Sequence, residues 1–307
     1  MKKDTPYSGS FGLKAIPLAV LFFFAALVLC QSAYSQGLMV MAKKISGEVP
    51  LTPDSGEWRW ASSLEVPLTP QVMAKPRIYE SAVKKINVRA LHNGKVISFL
   101  LEWEDPTEDT AIDIDKFSDA AAMQFPAARA ASRPSFAMGD KDNPVNIWFW
   151  KAAWQKQQEI QKTYAATDDF APGVLAGNPV SERKSPVENI TAQGFGSATD
   201  MGKSSTQNIE GSGEHKSNKW RVVFRRALVS ADNFDVSFGE GGVTPIAFAI
   251  WNGSEGDRGG RKALSTWYYV GLETEEKKTL FVYPVLALIA AVGCVVLLVL
   301  WLKKARA

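Results

Sequence analysis

Cysteine and histidine are almost absent from this chain of 307 residues, which has two of each. The two cysteines, Cys30 and Cys294, both lie in apolar runs and are too few for a disulfide framework or a cysteine-rich metal site. The motif C-x-x-C-H does not occur, which excludes the covalent attachment of a c-type haem. His92 and His215 are likewise too few to build a histidine metal cluster.

An excess of one charge is also missing, because 35 lysines and arginines face 32 acidic residues for a net charge of +3. A dedicated nucleic-acid binder shows a strong basic excess, so the charge balance argues against that function.

The motifs G-x-G-x-x-G, G-x-x-x-x-G-K-[ST] and G-x-S-x-G do not occur in a strand-to-helix context. Asp113, Asp115 and Asp119 lack the glycine and distal glutamate of a calcium loop, so we expect a solvated loop there. The sequence therefore contains no self-sufficient active site.

The beginning of the chain has the layout of a secretory signal. Residues 15–30 form an uncharged apolar run that follows Lys14, and the small-x-small pattern Ala33-Tyr34-Ser35 comes shortly after it. A basic start, an apolar middle and a small-residue cleavage site are typical of a signal peptide. We predict such a peptide over residues 1–35, with an uncleaved N-terminal anchor as the alternative.

The end of the chain predicts a membrane anchor. Residues 280–302 carry no charge and exceed the roughly 20 residues that a spanning helix requires. Lys303, Lys304 and Arg306 follow, and basic flanks stay on the cytoplasmic side. Residues 279–307 are therefore predicted to be a single transmembrane helix with a short cytoplasmic tail. Residues 36–278 are predicted to lie on the periplasmic side of the membrane.

The middle of the chain reads as a β-rich domain. Residues 86–91 alternate between apolar and polar, Asn93-Gly94 follows, and residues 96–103 are rich in strand formers. Two such runs around Asn-Gly predict a hairpin with a type I′ turn. Further strands are predicted at 120–125, 145–150, 220–227, 245–251 and 265–270, with one short helix at 152–162. Many strands without crossover helices indicate an all-β fold, an antiparallel β-sandwich in one domain.

One polar segment interrupts this series. Residues 163–218 are rich in Gly, Ser, Asn, Lys and Glu and are too long for an ordinary connection. We predict a polar insertion there, which is either an arm that docks a partner or a flexible surface loop.

Tryptophan is the most informative residue type in the predicted strands. Trp148, Trp150, Trp220, Trp251 and Trp267 lie in or beside them. Most of these rings are expected in the core of a large sandwich. Some of them are candidates for the wall of a wide apolar slot for a flat ligand, such as a porphyrin or the face of a sugar. A carbohydrate-binding module is therefore one alternative function.

Several motifs, taken in order, resemble those of one known family. They are residues 90–95 (ALHNGK), 99–106 (FLLEWEDP), 117–126 (FSDAAAMQFP), 136–140 (FAMGD), 143–152 (NPVNIWFWKA), 250–253 (IWNG) and 260–268 (GRKALSTWY). This set is similar to the haem-binding γ subunits of ethylbenzene dehydrogenase-like molybdoenzymes, the type II DMSO reductase family. The resemblance covers roughly residues 45–272 apart from the polar segment.

The resemblance implies a β-sandwich that holds one non-covalent b-type haem, with a methionine and a lysine as axial ligands of the iron. The lysine corresponds to Lys262. The methionine corresponds best to Met138, and Met123 is the competitor. A thioether can donate a lone pair to iron, whereas a lysine can do so only as the neutral amine, which requires a desolvated site.

Three further residues are candidates or rivals at such a site. Arg261 cannot bind iron, because a guanidinium stays protonated, but it is a candidate partner for a haem propionate. Lys151 is a weaker candidate for the same role. His92 is the rival iron ligand, although its position at a predicted hairpin tip favours exposure.

The resemblance also implies a role without substrate chemistry. Proteins of this kind belong to complexes with a molybdopterin catalytic subunit and an iron–sulfur subunit. They relay electrons between the iron–sulfur subunit and an outside partner, which is a soluble cytochrome or the membrane pool. The predicted C-terminal helix indicates a membrane-bound respiratory branch, of which the nitrite oxidoreductase type is one example. Selenate, chlorate and dimethyl sulfide enzymes are others.

Overall fold

The computed structural model describes residues 38–274, except 74, 76, 129, 165–184, 196–198, 201–206 and 240, together with 289–293, 296, 300, 301, 304 and 305. The predicted signal segment, residues 1–35, lies outside the described residues. Most of the predicted C-terminal helix also lies outside them. Within the described parts of the chain, none of the helices combines the length and the hydropathy that a membrane crossing requires.

The described chain is mostly β, as the alternating sequence predicts. The strands are β1 Met39–Lys44, β2 Leu64–Pro67, β3 Thr69–Pro70, β4 Lys85–His92, β5 Val96–Glu104, β6 Ala120–Pro126, β7 Val145–Lys151, β8 Val187–Ala192, β9 Thr199–Asp200, β10 Glu210–His215, β11 Lys219–Ala227, β12 Val243–Trp251, β13 Ala263–Leu264 and β14 Tyr268–Leu272. Helix α1 spans Ala152–Tyr164, and a short 3₁₀ helix spans Gly56–Trp60.

The strands form two layers that share β12. The first layer runs in the order β10-β11-β5-β4-β1-β14-β12, and the second runs β12-β6-β7-β8-β9. The first residues of β12, Val243 to Ile246, pair with β14, whereas Ala247 to Trp251 pair with β6. The strand thus passes from one layer into the other, which closes one side of the sandwich.

The core between the layers is aromatic. Phe99 of β5 lies 6.0 Å from Trp148 of β7 and 6.2 Å from Phe125 of β6, measured between ring centroids. All three side chains are fully buried. Because side chains alternate along a strand, the residues next to Phe125 in β6 and next to Trp148 in β7 point away from this core.

Two predictions about strand pairing need correction. Strand β1 pairs in parallel with both β4 and β14, so the sandwich is not purely antiparallel. This strand joins no hairpin and fills the space between two strands that already run in the same direction. The Asn93-Gly94 turn is not type I′ either, because only Gly94 has a positive φ, of 84°. Asn93 instead accepts hydrogen bonds from the backbone amides of Lys95 and Val96 through its side chain.

Two predicted segments also differ in their structure. The segment predicted as a polar insertion, 163–218, contains β8, β9 and β10, and residues 165–184 of it are outside the described residues. Strand β8 pairs along β7, and β10 pairs along β11, so both extend the two layers. The strand predicted at 265–270 corresponds to β14, which begins three residues later, at Tyr268, and the two-residue strand β13 lies before it at Ala263–Leu264. Local composition missed the strands of the polar segment because their stability comes from pairing with apolar neighbours.

Candidate functional site

An apolar cavity lies on the outer face of the second layer. Ala122 and Gln124 of β6, Ile147 and Phe149 of β7 and Ile190 of β8 contribute to its lining. Its volume is about 360 Å³. That volume and an apolar wall with few polar groups are typical of a small-molecule or cofactor site.

Small side chains form part of the floor of the cavity. Ala122 of β6 lies directly opposite Ala249 of β12 in the strand pairing, and Ala247 lines the cavity two residues earlier on β12. Side chains two residues apart share one face of a strand. Three alanines on that face leave room that larger residues would fill, so the floor can accept a flat, rigid ligand.

Met138 reaches the cavity from the loop that joins β6 to β7. Its backbone φ is +69°, which is uncommon for a residue other than glycine. Gln124 Oε1 accepts a hydrogen bond from the Met138 amide at 3.1 Å, and the Met138 carbonyl accepts one from the Gly194 amide at 2.7 Å. Gly139 follows at φ +75°, where a Cβ would approach the Asn143 carbonyl oxygen to 2.8 Å. The loop can therefore turn sharply only with glycine at that position.

Met123 occupies a different environment from Met138. It is fully buried on β6 and belongs to the inner core cluster that contains Phe125 and Trp148. Its neighbours along the strand, Ala122 and Gln124, face the cavity instead. The alternation of β6 thus directs Met123 into the sandwich and away from the cavity.

Lys262 enters the cavity from the loop between β12 and β13 and is only 6% exposed. Its ammonium nitrogen lies 4.8 Å from the centre of the Trp251 ring and 6.0 Å from that of Phe195. No described residue accepts a hydrogen bond from this nitrogen or forms an ion pair with it. Burial lowers the pKa of Lys262 from 10.5 to about 8. The side chain is therefore a buried amine in an apolar wall that loses its proton more readily than a free lysine does.

Arg261 and Lys151 do not line this cavity. The Arg261 guanidinium forms an ion pair with Asp257, with 3.2 Å between Nε and Oδ1, and donates a hydrogen bond to the Glu255 carbonyl. Successive side chains of this loop point in different directions, so Lys262 faces the cavity and Arg261 faces the adjoining turn. The pairing of Arg261 with a haem propionate stays a prediction. The Lys151 nitrogen lies 5.7 Å from the centre of the Trp154 ring.

The rival histidine is buried, contrary to the sequence prediction. His92 is 1% exposed, and its Nε2 lies 2.9 Å from the Glu273 carbonyl oxygen. The chain segment after β14 covers the hairpin end that the local sequence predicts to be exposed. His92 is nevertheless absent from the cavity lining. His215 contacts the Asp105 carbonyl and the Trp220 ring and also lies away from the cavity.

Asp113 and Asp115 are exposed, as predicted for a solvated loop, whereas Asp119 is buried. Asp119 accepts hydrogen bonds from the amides of Asp109 and Gly253 and from the Trp220 indole. Burial raises the pKa of Asp119 to about 7, and repulsion from Asp105 adds to this increase. Among the described residues, no group of three or more metal-ligating side chains could hold an ion.

Sequence reasoning missed three residues that shape the site: Gln71, Gln124 and Phe195. A lone glutamine in the apolar run of β6 is a usable signal for Gln124. Phe195 belongs to the polar segment, where a single ring gives little indication of what it contacts. Gln71 has no local signal, because its partners follow it by almost 190 residues.

Most tryptophans are core residues. Trp148, Trp150 and Trp220 are buried and contact other rings inside the sandwich. A carbohydrate-binding face would need such rings exposed, so the geometry does not favour that alternative. Among the tryptophans of the described chain, Trp251 alone lines the cavity, and its indole donates a hydrogen bond to the Gly259 carbonyl.

The sequence profile of the ethylbenzene dehydrogenase family matches residues 55–263. The chain belongs to this family. A respiratory nitrate reductase heme subunit from Haloferax mediterranei is 29% identical over 73% of this chain and 69% of its own length. The γ subunit of dimethylsulfide dehydrogenase from Rhodovulum sulfidophilum is 30% identical over 55% of this chain and 53% of its own. The γ subunit of chlorate reductase from Ideonella dechloratans is 25% identical over 76% and 87%.

The members named above are called γ or heme subunits of dehydrogenases and reductases, not catalytic subunits. Among solved structures, a family 9 carbohydrate-binding module from Caldicellulosiruptor kristjanssonii in complex with glucose covers 78% of this chain and 98% of its own length. It has 8% identity and a TM-score of 0.38, a likeness too low to carry an argument about ligands.

Proposed function

We propose that this family member is the electron-transfer subunit of a molybdoenzyme complex and that one non-covalent b-type haem binds in the cavity lined by Met138 and Lys262. The observation that carries the proposal is the donor set. A thioether and a buried amine without an ion-pair partner in the described chain line one apolar cavity, whose lining includes three alanines. Bound haem would supply a one-electron carrier and no substrate chemistry.

The chain supports this donor set through its surroundings. Lys262 is a ligand only when its amine is neutral, and burial beside Trp251 and Phe195 lowers the cost of losing the proton. The Met138 sulfur needs no deprotonation, since a thioether is neutral at every pH. Non-covalent binding agrees with the sequence, which has no cysteine between residues 38 and 274.

The ends of the chain complete the proposed placement. Residues 1–35 export the chain, residues 36–278 fold in the periplasm, and residues 279–307 hold it in the membrane. The partners are a molybdopterin catalytic subunit and an iron–sulfur subunit, with a c-type cytochrome or the membrane pool as the other electron partner. This arrangement corresponds to the membrane-bound respiratory branch of the family.

Absorption spectroscopy of the full chain tests the cofactor. When the chain is produced with haem available, it should retain about one haem per chain after gel filtration and show a Soret band with sharp α and β bands on reduction. The haem should be extractable with acidified organic solvent, as a non-covalent haem is. A folded chain that stays colourless after haem supplementation would overturn the proposal.

Purification from the native membrane tests the partners and the location. A tag after Ala307 should recover the chain with two larger subunits, and metal analysis of the complex should show molybdenum and more iron than one haem supplies. Protease added to intact spheroplasts should degrade residues 36–278. Recovery of the chain alone from the cytoplasmic fraction would contradict both parts.

A further inference from the structure

We infer that two buried glutamines, Gln124 and Gln71, act as positioning residues: each ties down the backbone of one loop that carries a proposed iron ligand. The inference rests on the proposed function and extends it to residues that do not themselves bind iron. Gln124 acts on the Met138 loop, and Gln71 acts on the Lys262 loop.

Gln124 uses both ends of its amide on the Met138 loop. The side chain is 7% exposed. Its Oε1 accepts the hydrogen bond from the Met138 amide at 3.1 Å, and its Nε2 donates one to the Ser135 carbonyl at 3.3 Å. Gln124 lies in a paired, rigid strand, so its two hydrogen bonds restrict the motion of the Met138 loop.

The Met138 backbone needs such support. A positive φ at a residue with a Cβ is unfavourable and persists only where the surroundings impose it. Gln124 holds the Met138 amide and Gly194 holds its carbonyl, so both sides of the residue are tied. Without the bond to Gln124, the backbone can relax to negative φ, which would swing the thioether away from the cavity.

Gln71 holds the Lys262 loop at two adjacent points. The residue is 1% exposed and follows β3. Its Nε2 donates a hydrogen bond to the Gly260 carbonyl at 2.7 Å, and its backbone amide donates one to the Lys262 carbonyl at 3.0 Å. These two bonds lie on either side of Arg261, so they set the direction in which Lys262 leaves the backbone.

The binding of imidazole to the oxidised full-length protein measures how firmly the iron ligands are held. We expect Gln124→Leu to bind imidazole about ten-fold more tightly than the natural chain, because the loss of one buried hydrogen bond frees Met138 to leave the iron. Gln124→Asn shortens the side chain by one carbon, breaks the same bond with less disturbance, and should act in the same direction. Gln124→Asn replaces Gln124→Leu in the experiment if the leucine variant does not fold.

A double-mutant cycle separates positioning from general stability. If Gln124 acts through Met138, Gln124→Leu should change imidazole affinity little when Met138 is already alanine. Gln71→Leu acts on the other ligand and should keep its effect in that background. The matched control is Gln155→Leu, since Gln155 bonds Trp150 and Gly213 away from the cavity. It should lower the unfolding temperature without changing imidazole affinity.

The inference fails if Gln124→Leu and Gln155→Leu behave alike, or if the effect of Gln124→Leu persists in full without Met138. Failure of the proposed function gives a different result, because the natural chain would then hold no haem and bind no imidazole at an iron.

Discussion

The side-chain nitrogen of Lys262 lies 4.8 Å from the centre of the Trp251 ring. The indole of the same residue donates a hydrogen bond to the Gly259 carbonyl, three residues before the lysine in the same loop. The tryptophan therefore covers Lys262 and fixes its loop. A cation over an indole face gains some attraction, but loss of water dominates here and lowers the pKa of the amine.

Replacement of Lys262 by leucine should have opposite effects on the two forms of the protein. In the haem-free form, the free energy of unfolding at pH 7 should rise by about 1–3 kcal/mol, because the variant no longer buries a charge. In the haem-loaded form, the low-spin spectrum should be lost. Urea unfolding and absorption spectra measure the two effects. Lys219→Leu, at an exposed position on β11, is the control, and an unchanged haem spectrum in Lys262→Leu would contradict the ligand assignment.

Replacement by alanine should have different effects at Met123 and at Met138. Met123→Ala should destabilise the fold by about 2–5 kcal/mol, because it opens a hole in the inner core, and leave the haem spectrum unchanged. Met138→Ala should cost less stability, since Met138 is only partly buried, and should change both the spectrum and the midpoint potential. The reverse pattern would show that Met123 is the ligand.

A larger residue on the cavity floor should block ligand binding without unfolding the chain. Ala249→Leu places three additional carbon atoms opposite Ala122, where the cavity has space for them. We expect the haem content per chain to fall well below that of the natural protein, while the unfolding temperature of the haem-free form changes little. Ala227→Leu, at the exposed end of β11, is the matched control. Full haem content in Ala249→Leu would place the ligand elsewhere.

Asp119 should make stability depend on pH in an unusual direction. Burial raises its pKa from 3.8 in a free aspartate to about 7, so the folded state keeps a proton that the unfolded state has lost. Between these values the contribution of Asp119 to the free energy of unfolding falls as pH rises, by up to about 1.4 kcal/mol per pH unit.

Urea unfolding of the natural chain and of Asp119→Asn between pH 4 and pH 8 measures this contribution. The variant loses hydrogen-bond acceptors and should be less stable throughout, but the difference between the two curves should shrink as pH rises. The neighbouring Asp105, whose pKa burial also raises, is present in both proteins and contributes to both curves. Parallel curves would show that folding does not raise the pKa of the Asp119 carboxyl.

The sequence by itself determined the six longest of the fourteen strands in the described chain. The alternation around Asn93-Gly94 and the runs that form β6, β7, β11 and β12 predict these strands to within two residues of their observed ends. These runs are readable because each buries a complete apolar face, so the pattern is local. The scarcity of cysteine and histidine likewise limits the choice of metal donors through composition alone.

Only the tertiary structure decided which side chains meet. Met123 faces the inner core because the other face of β6 lines the cavity, and Met138 reaches the cavity because of the way the loop after β6 folds back. The outward turn of Arg261 depends on Asp257, and the burial of His92 depends on the segment after β14. Gln71 reaches Gly260 across almost 190 residues of chain. Such contacts follow from the packing of distant segments, and no local pattern of residues encodes them.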